Sequence, residues 1–302
     1  MRIMVLALVL LGLSWSGYQQ LQAQTMPSAV VADPAADKKF PPGIAGITIP
    51  SHGVEMDATL YLAGGEGQHG TVILLLGLPG YESNIDLAQS IRRAGWNVLI
   101  FHYRGTWGTA GSFSFSSAIE DTAAAVQFLR DPANTAKYRM DDPRRLVVVG
   151  HSMGGFLAGY EASHDPAVTA VAIISGVNLG RINGNPDEQE TRLKRWETNL
   201  HPVKGSTAPE LFAEAKRHTK DWDYVQWSEA LRARPVLLVG AEDQNKADMD
   251  ALALALRQKN AVALSHQDVS TDHSFSDHRI ALQQIVIEWL GTLNKERTEG
   301  IY

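Results

Sequence analysis

The chain has 302 residues, a formal net charge of −6 at pH 7 and no cysteine. The absence of cysteine excludes disulfides, thiol catalysis and a lipid anchor on a cysteine side chain. An acidic chain without a long basic run is not typical of a nucleic-acid-binding protein, and a hydrophobic share of 44% is that of an ordinary globular protein.

Residues 1–23 have the features of a secretory signal. Arg2 precedes an apolar run from Ile3 to about Leu13, which is shorter than the roughly 20 residues that span a bilayer, and Ala23 is a small residue at the expected cleavage position. The alternative is a buried N-terminal helix. The segment predicts an exported protein, periplasmic or secreted, that is cleaved near Ala23 and has no permanent membrane span. A chain without cysteine suits an oxidising compartment.

After a Pro-, Ala- and Asp-rich linker over residues 24–43, strand and helix patterns alternate. The predicted strands are GITIP, MDATLYL, TVILLL (71–76), WNVLIFHY, RLVVVG, AVTAVAIIS, PVLLVG and AVALSHQ. The first two favour an antiparallel hairpin, whereas the continuous apolar runs favour strands buried on both faces. The alternation predicts an α/β fold whose mostly parallel central sheet has helices on both faces.

Helical periodicity predicts which residues of the helices face the core. In the segment SSAIEDTAAAVQFLRD the predicted stripe is Ile119, Ala123, Val126 and Leu129. In ADMDALALALRQK it is Met249, Leu252, Ala253 and Leu256, and in the closing segment RIALQQIVIEWLGTL it is Leu282, Ile285, Val286 and Trp289.

The alternation stops between residues 178 and 232. This polar segment has helix-like pieces, no strand pattern, and three tryptophans, Trp196, Trp222 and Trp227. We interpret it as a helical cap insertion, and its tryptophans as candidate substrate contacts; the alternative is that they only attach the insertion to the core. The predicted organisation is a signal (1–23), a linker (24–43), a first core part (44–177), the cap insertion (178–232) and a second core part (233–302).

The segment GHSMGG places Ser152 between Gly150 and Gly154. This pattern alone is weakly specific, but here a buried strand precedes it and a helix-compatible stretch follows it, as in a nucleophile elbow. Such a turn is strained and tolerates only glycine at the two flanking positions. It also directs the amide of Met153, at the helix N-terminus, towards a developing oxyanion.

A serine nucleophile needs a base and an orienting acid. Asp243 follows the strand PVLLVG, and His273 lies between the last strand and the last helix. The order Ser, Asp, His, each after a core strand, is more specific than the elbow alone. Glu242 and His278 are the alternatives for the acid and the base. We assign a structural role to His151, which adjoins the serine.

The loop after the strand TVILLL reads GLPGYESN and is the expected source of a second oxyanion donor. Gly77 and Gly80 allow a close approach of the backbone, so the amide of Leu78 is the predicted donor, and Tyr81 in the same loop is a further candidate substrate contact. The alternative is a plain turn at the strand end. No HExxH or similar cluster predicts a metal site.

These motifs resemble those of the α/β-hydrolase superfamily over about residues 45–295. GLPGYESN, FHYRGTWGTAGSF, GHSMGG, GAED and DHSF carry the resemblance. It implies the α/β-hydrolase fold. It also implies that Ser152 is the nucleophile, Asp243 the acid and His273 the base, and that the amides of Leu78 and Met153 form the oxyanion hole. The chain departs from many relatives at Leu76, where they have histidine, and at Tyr103, where they have aspartate.

The expected function is therefore hydrolysis of a carboxylic ester, or of a related small-molecule acyl compound, through an acyl-enzyme and without a cofactor or metal. Hydrolysis of an amide, peptide or thioester and acyl transfer are alternatives on the same residues. A non-catalytic member of the fold that binds a ligand is the alternative of another class.

Overall fold

The computed structural model describes residues 26–138, 140, 145–182 and 186–298, so the predicted signal (1–23) lies outside the described residues. It contains one sheet of eight strands. The strands are β1 (Gly43–Ser51), β2 (Val54–Leu62), β3 (Thr71–Leu75), β4 (Asn97–Phe101), β5 (Leu146–His151), β6 (Ala170–Ile174), β7 (Pro235–Ala241) and β8 (Ala263–Val269). Their order is β1-β2-β4-β3-β5-β6-β7-β8.

The sheet is mostly parallel, as predicted. Only the pairings of β1 with β2 and of β2 with β4 are antiparallel among the described strands. The β1–β2 hairpin turns at His52 and Gly53, whose φ values of 47° and 80° are those of a two-residue turn with left-handed residues. Every residue of β3, β4, β5 and β6 is buried, so both faces of the sheet centre are covered.

Ten α-helices accompany the sheet in the described part of the chain. They are α1 (Ser28–Val31), α2 (Ile85–Arg93), α3 (Phe115–Arg130), α4 (Pro132–Tyr138), α5 (Met153–His164), α6 (Pro186–Asn199), α7 (Ala208–Arg217), α8 (Ser228–Leu231), α9 (Lys246–Gln258) and α10 (Arg279–Thr298). Short 3₁₀ turns lie at Leu179–Arg181 and Tyr224–Trp227. No described helix combines the length and the apolar composition needed to cross a bilayer.

The predicted core stripes agree with the structure in α9 and only partly in the other two helices. The stripe of α9 is fully buried. In α10, Ile285 is half-buried while its neighbour Val286 is buried. In α3, Val126 and Leu129 are buried and the half-buried Ile119 packs against the core, whereas Ala123 is only half-buried because the buried face also includes Asp121 and other polar residues.

The predicted linker contains a short helix, α1, which packs against α2 and α10. Ala29 in this helix is buried, and its carbonyl accepts a hydrogen bond of 2.6 Å from Nε of Arg93. Part of the Pro- and Ala-rich segment is therefore attached to the core.

The segment 178–232 contains α6, α7, α8 and both 3₁₀ turns, and its described residues form no strand of the sheet. It contacts the loop after β4 through an isolated bridge between Thr106 and Val203 and a backbone hydrogen bond from Phe113 to Lys204. These contacts hold α6 and α7 beside the loop that follows β4.

Candidate active site

Ser152 occupies the sharp turn between β5 and α5, with φ 60° and ψ −119°. A non-glycine residue in this region is strained and persists only where its surroundings fix it. A Cβ atom on Gly150 would overlap the carbonyl of Gly154, and one on Gly154 would overlap the carbonyl of Leu75. Because backbone atoms cannot move aside, both positions need glycine, as the sequence pattern predicts.

Parallel strands end at one edge of the sheet, and this edge brings Ser152, His273 and Asp243 together. Ser152 Oγ lies 2.9 Å from Nε2 of His273, and Nδ1 of the same imidazole lies 2.6 Å from Oδ2 of Asp243. The three side chains come from the ends of β5, β8 and β7. They form one continuous hydrogen-bonded chain.

The Asp243 carboxylate is almost fully buried, with 4% of the side chain exposed. Its Oδ1 accepts the Asn245 backbone N–H at 2.8 Å, and its Oδ2 accepts the Ser175 hydroxyl as well as His273. Burial alone would raise the pKa of Asp243, but the hydrogen bonds from His273 and Ser175 outweigh it and hold the pKa below its usual value. Asp243 is therefore an anion near neutral pH.

Ser175 was not identified from the sequence. It follows β6 directly, is fully buried, and has φ 40°. Its Oγ lies 3.0 Å from Nδ1 of His273, and its carbonyl accepts a 2.9 Å hydrogen bond from Nδ2 of Asn245. Its position could have indicated it in the sequence, because Ser175 is a hydroxyl residue directly after β6, the strand between β5 and β7.

His151 is buried beside His273, and its Nε2 lies 2.7 Å from the His273 carbonyl oxygen. Burial, together with the neighbouring His273, lowers the pKa of His151 to about 3. It is thus neutral at pH 7, and the ring donates from Nε2 to that carbonyl. This contact supports the loop that carries His273, in keeping with the structural role predicted for His151.

Glu242 and His278, the alternatives for the acid and the base, lie apart from the hydrogen-bonded side chains of Ser152, His273 and Asp243. Glu242 is exposed. His278 immediately precedes α10, where its carbonyl accepts the Leu282 N–H and its Nδ1 lies 2.8 Å from Asp277. Asp243 and His273, rather than Glu242 and His278, are therefore the residues that hydrogen bonds connect to Ser152.

The loop after β3 lies against the turn at Ser152. A Cβ added at Gly77 would be 3.1 Å from Cβ of Ser152. In the described part of the chain, neither the Leu78 amide nor the Met153 amide has a hydrogen-bond acceptor. Two unused N–H donors of this kind are what a developing oxyanion needs.

Tyr103, which stands where many relatives have aspartate, holds the start of this loop. Its side chain is buried, and its hydroxyl donates a 3.0 Å hydrogen bond to the carbonyl of Leu76. Burial, together with nearby Asp121, raises the pKa of Tyr103 well above its usual value, so the phenol stays protonated and keeps donating. The indole Nε1 of Trp107 holds the other side of the loop through a 2.6 Å bond to the carbonyl of Pro79.

A model of the α/β-hydrolase family matches residues 69–281, which is more than half of the chain. The chain belongs to the α/β-hydrolase family. A comparison with curated proteins finds no significant match.

Solved structures share the fold of this α/β-hydrolase at low sequence identity. An esterase of Pyrococcus furiosus has a TM-score of 0.61 and 17% identity, covering 84% of this chain and 92% of its own. An esterase of Pyrobaculum calidifontis has a TM-score of 0.56 and 21% identity, covering 83% and 86%. A brefeldin A esterase, described as a bacterial homologue of human hormone sensitive lipase, has a TM-score of 0.62 and 17% identity. The match covers 90% of this chain and 82% of the esterase.

Two cavities lined by described residues adjoin Ser152 in this α/β-hydrolase. The smaller cavity has a volume of about 20 Å³. Its lining residues are Leu78, Phe115, Ser152, Met153, Val177, Leu179, Arg192, Arg195, Trp196, Gln244 and Asn245. The larger cavity has a volume of about 160 Å³ and lies on the side of His273. It is lined by residues 77–82, His151, Ser152, Arg195, Trp196, Asn199, Leu200, His273 and Ser274.

Two of the predicted substrate contacts, Trp196 and Tyr81, line these cavities. Trp196 reaches both cavities from α6, and Tyr81 lines the larger one. The Tyr81 ring is 57% exposed and packs edge-on against Trp107, with a weak 3.3 Å hydrogen bond from its hydroxyl to the Asn199 carbonyl.

Trp222 and Trp227, the other two predicted substrate contacts, line neither of the two cavities described above. Both rings are buried against Phe156, with centroids 5.7 and 5.4 Å from it, and they border a separate groove. They attach the inserted segment to α5, which is the structural role that the sequence left open. An aromatic residue fills either role with the same apolar surface.

One cluster in the described residues has the donor set of a metal site: Asp250, His266 and Asp268. It lies at α9 and β8, and Nζ of Lys246 lies 2.8 Å from Asp268 and 3.2 Å from Asp250. The ammonium of Lys246 already pairs with both carboxylates. The cluster therefore carries no cofactor assignment.

Proposed function

We propose that this α/β-hydrolase is a serine hydrolase that cleaves small carboxylic esters through an acyl-enzyme. The observation that carries the proposal is the continuous hydrogen-bonded chain from Ser152 through His273 to the buried Asp243. A serine hydroxyl is a poor nucleophile unless a base removes its proton as it attacks. The imidazole is at the distance that this transfer requires.

In the first step, Ser152 Oγ attacks the ester carbonyl while its proton moves to Nε2 of His273. The negative charge on Asp243 stabilises the imidazolium and keeps the proton of the ring on Nδ1. The amides of Leu78 and Met153 bind the oxyanion. His273 then protonates the departing alkoxide oxygen, and the acyl group remains on Ser152.

In the second step, water takes the place of the alcohol. His273 removes a proton from the water as it attacks the acyl carbon, and returns it to Ser152 Oγ as the acid product leaves. Apart from the ester and water, the residues named here carry out both steps.

The two cavities have different parts in this scheme. The leaving oxygen must lie on the side of its proton donor, His273, so the alcohol part occupies the larger cavity. The acyl part then points into the smaller cavity, whose volume of about 20 Å³ favours small groups. Short acyl groups are therefore the expected substrates, and α6 with Trp196 acts as a cap over them.

Carboxylic esters are favoured over amides and thioesters by the structural relatives, because the solved structures of similar fold include three described as esterases.

We further propose that the protein is exported. Arg2, the apolar run after it and Ala23 support this. Analysis of the mature N-terminus is the test: we expect Gln24 as the first residue, and a mature protein that keeps residues 1–23 would contradict export.

A series of p-nitrophenyl esters of rising acyl length tests the proposed reaction. We expect the highest kcat/KM for acetyl or propionyl esters and a fall for octanoyl. In Ser152→Ala, kcat should drop by about 10⁴ because the nucleophile is lost, while the fold survives. Turnover by Ser152→Ala above about a tenth of the wild-type rate would contradict the proposal.

A further inference from the structure

One face of α6 carries positive charge towards Ser152. Arg192, Arg195, Trp196 and Asn199 are spaced i, i+3, i+4 and i+7, so they share one side of the helix. All four line a cavity next to Ser152, and Arg195 lines both. A surface helix usually turns an apolar stripe inward. On α6, the side that faces the cavities holds two guanidinium groups, and Arg195 is exposed there.

Trp196 fixes the rotation of the helix. Its indole is buried, with ring centroids 5.8 Å from Phe115 and 4.8 Å from Phe212. A helix anchored through Trp196 keeps the preceding residue, Arg195, at the junction of the two cavities. The position of Arg195 therefore follows from packing in the core rather than from a loop.

The described residues offer the Arg195 side chain no ion pair and no hydrogen bond. Lys194, the residue before it, pairs with Glu190 at 2.7 Å. Glu82, the one acidic side chain among the described residues lining the two cavities, accepts the Asn84 N–H at 2.8 Å and lies 3.6 Å from Arg279. Among the described residues that line the two cavities, the two arginines thus outnumber the one acidic side chain.

We propose that the preferred substrate is an ester whose short acyl part ends in a carboxylate, which Arg195 binds. This rests on the proposed ester hydrolysis. The planar guanidinium matches a carboxylate through two parallel N–H donors. The acyl side is assigned because Arg192, the second cation, lines only the smaller cavity, where the acyl part lies. The smaller cavity limits how many carbons separate the carboxylate from the scissile carbonyl.

Matched ester pairs test the charge preference in a pH-stat assay. Mono-ethyl malonate and mono-ethyl succinate carry the anion on the acyl part, and ethyl acetoacetate and ethyl levulinate are their neutral isosteres. Acetoxyacetate and acetoxyacetone form the corresponding pair with the anion on the alcohol part. The wild type should show a lower KM for an anionic acyl ester than for its neutral isostere.

Arg195→Gln should lower the ratio of kcat/KM between the anionic and the neutral acyl ester by about 10- to 100-fold, mainly through KM, because a charge-assisted hydrogen bond is lost. Arg195→Lys keeps the charge but lacks the planar guanidinium, so its kcat/KM ratio should lie between those of the wild type and Arg195→Gln. Lys194→Gln removes the same charge from the outer side of α6 and is the matched control. It should leave the ratio within about twofold of wild type.

The proposal is overturned if the wild type does not prefer the anionic acyl esters, if Arg195→Gln leaves the ratio unchanged, or if Lys194→Gln lowers it equally. Dependence on Arg195 in the acetoxyacetate pair alone would overturn the assignment to the acyl part. If no ester, including p-nitrophenyl acetate, is hydrolysed, the proposed function fails. Calorimetry on Ser152→Ala then still decides the inference, which requires tighter binding of mono-ethyl malonate than of ethyl acetoacetate.

Discussion

Removing the Ser175 hydroxyl tests how the buried carboxylate is maintained. In Ser175→Ala, Asp243 loses one of its hydrogen bonds and, with 4% of its side chain exposed, has little access to water that could replace it. A hydrogen bond to a charged group contributes about 1.5–3 kcal/mol, so the free energy of unfolding at pH 7 should fall by about that amount. The same loss should move the pKa of Asp243 upward, towards protonation.

The effect should depend on pH in a defined direction. The pKa of Asp243 is depressed in the folded protein, so its contribution to stability is present above the unfolded pKa, about 3.9, and is lost as the pH falls through the folded pKa. The difference between wild type and Ser175→Ala should therefore be full at pH 7 and shrink below about pH 4. The acid limb of kcat/KM should move to higher pH in the variant.

Urea unfolding at a series of pH values, with pH–rate profiles on p-nitrophenyl acetate, measures both effects. Ser206→Ala is the control, since the Ser206 hydroxyl donates to the backbone carbonyl of Phe113, a neutral acceptor, and its loss should give a small, pH-independent change. A loss of stability in Ser175→Ala that is the same at pH 3.5 and pH 7, with an unchanged acid limb, would refute the reasoning.

Three further predictions concern named side chains. His273→Ala should abolish ester hydrolysis, whereas His278→Ala should keep most of it, as measured by kcat/KM on p-nitrophenyl acetate; the reverse ranking would make His278 the base. Trp196→Ala should change the relative kcat/KM of short and long acyl esters, while Trp222→Ala should mainly lower the unfolding midpoint; equal effects on all esters from both would contradict the cavity assignment. Tyr103→Phe leaves the buried Leu76 carbonyl without its donor, so the free energy of unfolding should fall by about 1–3 kcal/mol and kcat should fall more than KM changes; an unchanged kcat would show that the loop does not depend on this hydrogen bond.

The central sheet and the turn at Ser152 were predictable because local sequence fixes them. Short continuous apolar runs bounded by turn residues are typical of strands buried on both faces, and the close approach of Gly154 to Leu75 leaves no room for a side chain. The place of Asp243 and His273 follows from strand order, because parallel strands end at one edge of the sheet.

Other features depend on long-range packing that no local pattern encodes. The buried face of α3 includes Asp121, which accepts hydrogen bonds from Arg104 at 2.5 Å and from Ser51 at 2.7 Å; periodicity counts an aspartate as a surface residue. Trp222 and Trp227 look the same in sequence whether they line a cavity or pack against α5. Their roles emerge only from the arrangement of the inserted helices.

Ser175 and Arg195 were missed for a related reason. A serine after a strand and an arginine on a polar helix are common on protein surfaces, so neither residue type stands out in the sequence. Their importance comes from what folding places beside them: the Asp243 carboxylate in one case and the two cavities next to Ser152 in the other.

Reaction with a fluorophosphonate tests the central claim, that Ser152 is an activated nucleophile, most directly. The serine oxygen bonds to phosphorus and fluoride leaves, so intact-mass spectrometry should show one adduct, and peptide mapping should locate it at Ser152. Ser152→Ala should remain unlabelled, and His273→Ala should label far more slowly because the base is absent. An adduct at another residue, or labelling of Ser152→Ala at the wild-type rate, would contradict the account.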